Sequence, residues 1–469
     1  MLVVAVSAGV RLAGLASVGS RVFDERYYAA DARAMLRGDL GPRGNQPWMP
    51  GVAQGAAHPE FAVTLIAAGV AAFGYHPWGW RIASALAGTL LIALVFPLGR
   101  RLGLAPVWAL AATVLAATDT MLVVQSRLAM LDIFVALWTA ACAYCGLRAA
   151  QSVRQGLWIV LCGLTGGAAM ASKWSGGLAE LAALVLLAVI GRRRDARFAL
   201  QAAVVVGIAA LTYVAAYAPY FLSGHTVPQW LHLQRYMVGY NLKDRGTLHE
   251  TSRPLMWPFD AGVFWYFWSE TSAGVRGIVV LGNPLLWWSA VVAFFALAVR
   301  SVRSRDLRLG LFPLLVGVLY LPWLLTSRPS YIFYMTPVVP FLAILVAAGL
   351  QTFTRRRPAP CAPQALAFAG VALVVAGLLG VAGLGESVHG ASYALLVRGV
   401  ALAVGLGLCA AAVLRARGAG HRRAALHAAG AWGWVGATAG LGLAWLPFLL
   451  AYPVPWQYYE RLTWLPLWK

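Results

Sequence analysis

Two adjacent carboxylates, Asp24 and Glu25, stand in the run Phe23-Asp24-Glu25-Arg26-Tyr27-Tyr28, just past an apolar stretch from Met1 to Val18. A Ser or Thr hydroxyl is a poor nucleophile at neutral pH. A carboxylate within hydrogen-bond reach can take its proton as it attacks an electrophilic carbon, such as a sugar anomeric centre. The neighbouring carboxylate can then orient the acceptor. The same two acids also read as a solvated pair excluded from a bilayer. Further along, Ser126-Arg127-Leu128-Ala129-Met130-Leu131-Asp132 places two ionisable groups at the mouth of an apolar run, where charge is costly and functional. Arg127 offers a fork of donors suited to a lipid phosphate, and Asp132 can orient Arg127 or a neighbouring helix. Packing alone is the plainer use of such a pair. Lys173, in Ser172-Lys173-Trp174-Ser175-Gly176, and Arg328, in Ser327-Arg328-Pro329, are further cations for a phosphate, or else snorkelling side chains at an interface. The eight histidines show no H-x-x-x-H or H-E-x-x-H spacing, so a histidine metal site is not expected.

The elements that must position these groups are apolar helices. The chain is 61% hydrophobic and only 11% charged, against about 25% charged for soluble domains. That defines a polytopic membrane protein. Apolar runs give thirteen candidate spans: 1–18, 78–98, 104–118, 128–147, 157–172, 176–190, 198–221, 278–299, 309–325, 331–349, 364–384, 392–413 and 428–450. Several are short enough to merge or tilt. The net charge of +21 falls in short clusters between spans, including Arg100-Arg101, Arg192-Arg193-Arg194, Arg300 through Arg308, Arg355-Arg356-Arg357 and Arg415 through Arg423. These occupy alternate loops, which sets those loops on the cytoplasmic side, the N-terminus inside and the C-terminus outside. Charge of this kind reports topology, and nucleic-acid binding is not expected. Asp24, Glu25, Asp31, Asp39, Glu60, Asp244, Glu250, Asp260, Glu270 and Glu460 all fall outside, so the polar chemistry is expected to be extracytoplasmic.

Two outer segments are long. The first, 19–77, carries the carboxylate pair, a Pro/Gly-rich stretch and His58-Pro59-Glu60 leading into Phe61 through Phe73, read as an interfacial helix. The second, 223–277, is rich in Trp, Tyr and His, as suits either a membrane interface or sugar stacking. Cys142 and Cys145 form a C-x-x-C inside a span, where helix packing is the plain reading, and no structural disulfide is expected outside. The first apolar run shows no small-residue cleavage site before Asp24 and reads as an uncleaved span. There is no repeat of fixed period and no polar segment of domain length, so 1–469 reads as a single transmembrane domain.

The ordered motifs resemble those of bacterial polyprenyl-phosphate-mannose protein O-mannosyltransferases, glycosyltransferase family 39, with a GT-C membrane fold. They are Phe23-Asp24-Glu25, His58-Pro59, Ser126-Arg127 through Asp132, Lys173-Trp174-Ser175-Gly176, Ser252-Arg253-Pro254 with Trp257-Pro258, Gly282-Asn283-Pro284 with Trp287-Trp288, and Tyr331 through Pro340. The resemblance implies an all-α protein of about 11–13 transmembrane helices with extracytoplasmic interfacial helices. It implies an inverting transfer of mannose to Ser/Thr hydroxyls of secreted or membrane proteins, with Asp24 as base and Glu25 placing the acceptor. Arg127, Lys173 and Arg328 would meet the donor phosphate, supported by His58, Asp132, Arg253 and Trp257. The implied partners are the lipid donor, protein acceptors, membrane lipids and the secretion translocon, in a bacterial plasma membrane. No cofactor is called for, and a divalent metal stays open. Two departures stand out: the family's His-Pro-Pro-Leu-Gly-Lys reads here His58-Pro59-Glu60-Phe61-Ala62-Val63, without the lysine, and a His-x-Tyr is replaced by Leu248-His249-Glu250-Thr251. The second outer segment is too short for a MIR domain.

The nearest rival is a related GT-C enzyme moving another sugar or using a lipid acceptor, aminoarabinose transfer to lipid A being one example. Trp257-Pro258 and Gly282-Asn283-Pro284 favour the protein enzyme. A transporter would show an internal repeat and midplane charge pairs, which the sequence lacks. For a non-catalytic scaffold the ordered motifs would be a coincidence.

Overall fold

The computed structural model describes residues 1–38, 57–191, 196–242, 251–272, 274–326, 329–354, 361–379, 391–417, 422–463 and 468. The chain is helical nearly throughout, as a sequence this apolar must be, because a helix satisfies its own backbone where no water can. Six helices among the described residues are long and apolar enough to cross a bilayer: Pro77–Arg101, Asp132–Gln151, Gln155–Ser172, Ala196–Leu222, Pro284–Ser304 and Leu307–Leu325. Several other expected spans are shorter or broken, and the breaks have local causes.

The first helix, α1 (Leu2–Leu12), stops well short of the expected 1–18, and Gly14 follows at φ +56. After it come α2 (Glu25–Leu36), α3 (Phe61–Phe73), whose bounds match the expected surface helix, and α4 (Pro77–Arg101). Both α4 and α5 (Pro106–Ala117) open on Pro in the first turn, where its missing N–H costs nothing. The expected span 104–118 ends at Asp119, which caps the short α6 (Thr120–Gln125) by accepting from Leu122 N at 3.1 Å. Then follow α7 (Asp132–Gln151), α8 (Gln155–Ser172), α9 (Gly177–Ile190), α10 (Ala196–Ala215), α11 (Ala218–Leu222) and α12 (Val227–Leu242).

The second outer segment holds a feature that the all-helical reading did not contain, a two-stranded antiparallel hairpin. Strands β1 (Phe264–Thr271) and β2 (Gly274–Val280) pair from Phe264↔Val280 to Thr271↔Gly274, with a bulge between Trp265 and Phe267. β1 is Phe-Trp-Tyr-Phe-Trp, residues that fit a pleated, half-buried surface. Its Phe264 and Tyr266 turn inward and are buried. The chain ends in α13 (Pro284–Ser304), α14 (Leu307–Tyr320), α15 (Val339–Phe353), α16 (Cys361–Leu379), α17 (Ala391–Arg417), α18 (Arg422–Leu449) and α19 (Trp456–Leu462). The last three long helices pack on one another, and Val454 bridges to Val275 of the hairpin.

One buried core unites α4, α5, α6, α7, the hairpin, α13 and α15. Asp119 pins its centre. Beyond its own cap, its Oδ2 accepts from Asn283 N and from Trp287 Nε1, each at 3.0 Å, tying α6 to the start of α13. Gly88 lets α4 press against Ser126, where any Cβ would collide with that side chain. This fixes the loop 126–131 beside the end of α1.

Candidate active site

Asp24 lies at the N-terminal end of α2, and the backbone before it is bent. Phe23 has φ +48, a conformation that costs a bulky residue energy and persists only when its surroundings impose it. They do so here. The Phe23 ring stacks on Tyr266 at 4.6 Å and 12° and meets Phe264 edge-on at 4.8 Å. Gln125 Nε2 in turn donates to the Tyr266 hydroxyl at 2.9 Å. Hairpin, α6 and the turn before α2 thus meet around Phe23, the residue that precedes Asp24.

Asp24 is half-buried, and burial pushes its carboxyl up to about 6. Lys173 opposes that rise, Asp132 adds to it, and Arg26 and a hydrogen bond from Tyr28 oppose it. The ε-ammonium of Lys173 sits between Asp132 Oδ1 at 2.9 Å and Oδ2 at 3.1 Å, with both side chains nearly buried. Lys173 Nζ also lies 4.5 Å from the centre of the Tyr334 ring and 5.6 Å from that of Phe333. The structure therefore brings Asp24, Asp132 and Lys173 together. Asp132 orients the lysine, and not Arg127 as one reading of the sequence has it.

Glu25 and Arg127 take other positions. Glu25 is fully buried and accepts four hydrogen bonds: Arg81 Nε and Nη2, each at 2.7 Å, and Val22 N and Ala129 N, each at 2.9 Å. Nothing of this carboxylate is left to place an acceptor. Arg127 turns its guanidinium to the end of α1, donating to Val10 O at 2.7 Å, Arg11 O at 3.0 Å, Ala13 O at 2.7 Å and Gly14 O at 3.1 Å. That fork is filled by backbone, which does not fit the phosphate contact expected of it. Trp257 is buried beneath the site: its Nε1 donates to Ser252 Oγ at 2.8 Å, and its ring meets Tyr334 edge-on at 6.2 Å. His58 lies half-buried in the turn before α3, and Arg253 is exposed at the start of the turn Pro254–Phe259. Arg328 lies outside the described residues. Among the described residues there is no group of three or more His, Cys, Asp or Glu side chains that could hold a metal.

Sequence reading gave no individual role to Arg81, Tyr28, Tyr266 or Tyr334. Arg81 carried a signal, a guanidinium inside the apolar run of α4, where a charge must have a partner. The tyrosines carried none that separates them from interfacial aromatics.

A groove of about 240 Å³, lined by Pro258, Trp287, Phe294, Val316, Tyr320 and Met335 among others, runs between α13 and α14. Met335, in its lining, is one residue from Tyr334, the ring beside the Lys173 ammonium. An apolar groove, a buried ammonium and a half-buried carboxyl thus lie in one helical membrane body, as fits the GT-C membrane glycosyltransferases that the motifs resemble. Residues 1–222 match the family model of dolichyl-phosphate-mannose-protein mannosyltransferases. A polyprenol-phosphate-mannose–protein mannosyltransferase of Corynebacterium glutamicum is 30% identical over 414 residues, covering 72% of this chain and 79% of the relative. The chain belongs to that family. Among solved structures, the Saccharomyces cerevisiae Pmt1-Pmt2 complex bound to the sugar donor shares the fold with a TM-score of 0.67 at 13% identity, covering 100% of this chain and 92% of that one. ArnT from Cupriavidus metallidurans bound to undecaprenyl phosphate does so with a TM-score of 0.58 at 19% identity, covering 99% and 88%.

Proposed function

We propose that the protein transfers mannose from a polyprenyl-phosphate-mannose donor to Ser or Thr hydroxyls of secreted or membrane proteins, on the extracytoplasmic face of a bacterial plasma membrane. One observation carries the reading: a half-buried carboxyl, Asp24, shares a cluster with a buried ammonium, Lys173, whose ring neighbour Tyr334 is next in sequence to the lining of an apolar groove. In the proposed step the acceptor oxygen attacks the anomeric carbon and gives its proton to Asp24. The bond from that carbon to the phosphate oxygen breaks, and the leaving phosphate keeps the electron pair. Lys173, held by Asp132, meets that growing charge. Attack opposite the leaving group converts a β-linked donor into an α-mannoside. The groove between α13 and α14 seats the lipid tail. Glu25 acts as a positioning residue through Arg81, and Arg127 holds the backbone that presents Asp24. The alternation of arginine clusters supports an outward-facing site.

The test is transfer of label from polyprenyl-phosphate-mannose to a Ser/Thr-rich peptide by the purified protein. Label recovered in peptide supports the reading, and label recovered only in lipid supports the aminoarabinose-transferase-like alternative.

A further inference from the structure

A second polar cluster lies two helical turns along α2 from Asp24. Asp31 follows Asp24 by seven residues, so both side chains project from one face, about 10 Å apart along the axis. Asp31 is 2% exposed and its Oδ1 has no partner; Glu60, at the start of α3, is 5% exposed and neither of its carboxyl oxygens has one. Burial pushes both carboxyls up to about 8, and Asp31 adds to the rise at Glu60. On α12, the side-chain atoms Gln234 Nε2 and Trp230 Nε1 are buried and unpartnered as well. Gln234 Oε1 accepts from the Tyr213 hydroxyl at 2.6 Å, and that hydroxyl takes Trp174 Nε1 at 2.9 Å. Tyr213 and Tyr217 both lie within electrostatic reach of Glu60. Trp174 directly follows Lys173, so the cluster adjoins the phosphate side of the site.

Five buried polar atoms without partners, on α2, the start of α3 and α12, are unusual. Their mixture is informative: three are carboxyl oxygens and two are N–H donors. A cation would satisfy the oxygens and leave the donors facing it. A divalent ion would also lack ligands, since it takes six or more oxygens. A hydroxyl both donates and accepts, so a polyhydroxyl ligand can meet all five.

We infer that Asp31, Glu60, Gln234 and Trp230 form the subsite that reads the ring hydroxyls of the transferred hexose, at the end away from Asp24. This rests on the hexosyl-transfer reading above. With the anomeric carbon at Asp24 and Lys173, the far hydroxyls of the ring point along α2 to Asp31. The subsite determines which hexose is accepted and leaves the lipid and peptide contacts alone.

The experiment compares wild type with Asp31→Ala, Glu60→Ala and the gentler Asp31→Asn and Glu60→Gln, using mannosyl and glucosyl polyprenyl phosphate with one peptide. Leaving a buried hydrogen-bonding partner unsatisfied is worth about tenfold in affinity. The alanine variants are expected to raise KM for the mannosyl donor by about tenfold or more and to shrink the mannose-over-glucose preference by a similar factor. KM for peptide and inhibition by sugar-free polyprenyl phosphate should stay unchanged. The amide variants, which keep shape and some hydrogen bonding, should fall between and serve if an alanine variant does not fold. Folded variants with native donor KM and native preference would overturn the subsite, leaving ordered water as its occupant. A shift in peptide KM alone would also overturn it. A wild type inert toward both donors would sink hexosyl transfer itself, whereas failure of the subsite alone leaves the wild type active.

Discussion

Replacing Glu25 by Gln is a change of one atom, yet the structure makes it a severe one. The carboxylate and Arg81 are 0% and 2% exposed, so no solvent screens the pair. Gln keeps one oxygen for Arg81 Nε but sets an amide N–H against Arg81 Nη2, donor against donor. The guanidinium would then be a buried charge without its counter-charge. Breaking a buried pair from one side costs about 3–5 kcal/mol, against about 0.5–1.5 kcal/mol for an ordinary hydrogen bond. Arg81 also donates to Leu15 O at 2.9 Å, Val18 O at 2.8 Å and Ser20 O at 3.0 Å, so any shift reaches the segment leading to Asp24. The assay is denaturant or thermal unfolding in detergent, run as a double-mutant cycle with Arg81→Met. The expected result is a loss of about 3–5 kcal/mol in Glu25→Gln and strong non-additivity in the double variant. In the folded fraction, turnover should fall while KM for peptide holds. A Glu25→Gln protein with native stability and a raised peptide KM would refute this and return Glu25 to the acceptor.

Asp24→Asn removes the base and keeps the shape, so transfer should fall about 10²–10⁴-fold with donor binding retained. Asp24 must be ionised to accept a proton, and its carboxyl is pushed up to about 6, so the wild-type rate should climb with pH through about 6 and level off above it; a rate flat from pH 5 to 8 would count against Asp24 as base. Arg127→Ala should cost stability, because four carbonyl oxygens at the end of α1 lose their donor, with affinity for polyprenyl phosphate nearly unchanged. Lys173→Met should do the reverse at the donor, weakening polyprenyl phosphate binding by about tenfold or more; equal binding in a folded variant would remove Lys173 from the phosphate.

The helical membrane body was legible because an apolar chain in lipid has almost one remedy for its backbone, but six of the described helices, not thirteen, are long and apolar enough to cross. Asp24 was legible as an acid beside a span. The partners were not. A sequence shows that Arg127 and Asp132 are buried near each other and invites pairing them, but Lys173, 41 residues beyond Asp132, supplies the ammonium. Nothing local distinguishes a guanidinium that binds phosphate from one that caps a helix, since both uses need the same donors. The hairpin escaped for a related reason: Phe264 through Trp268 reads equally as an interfacial aromatic belt, and only its pairing with Gly274–Val280 and its ring contacts with Phe23 decide the matter.

The shortness of α1 explains why those arginines exist. Backbone that leaves the helix at membrane depth exposes carbonyls with no water to meet them, which is tolerated only where protein supplies donors. Between Val10 and Ser20 the donors are side chains from distant elements. Arg127 takes Val10, Arg11, Ala13 and Gly14; Arg81 takes Leu15, Val18 and Ser20; Arg276 Nη2 reaches Ser17 O at 2.5 Å. A lysine has no planar fork and could not reproduce the spread of contacts that either Arg127 or Arg81 makes. The unwound segment is therefore as fixed as a helix, yet free of helical geometry. That freedom lets Phe23 take φ +48 and sets Asp24 as the first residue of α2's helical turn. Arg127, which in sequence looked like a ligand for a phosphate, shares with Arg81 and Arg276 the fixing of the backbone ahead of Asp24.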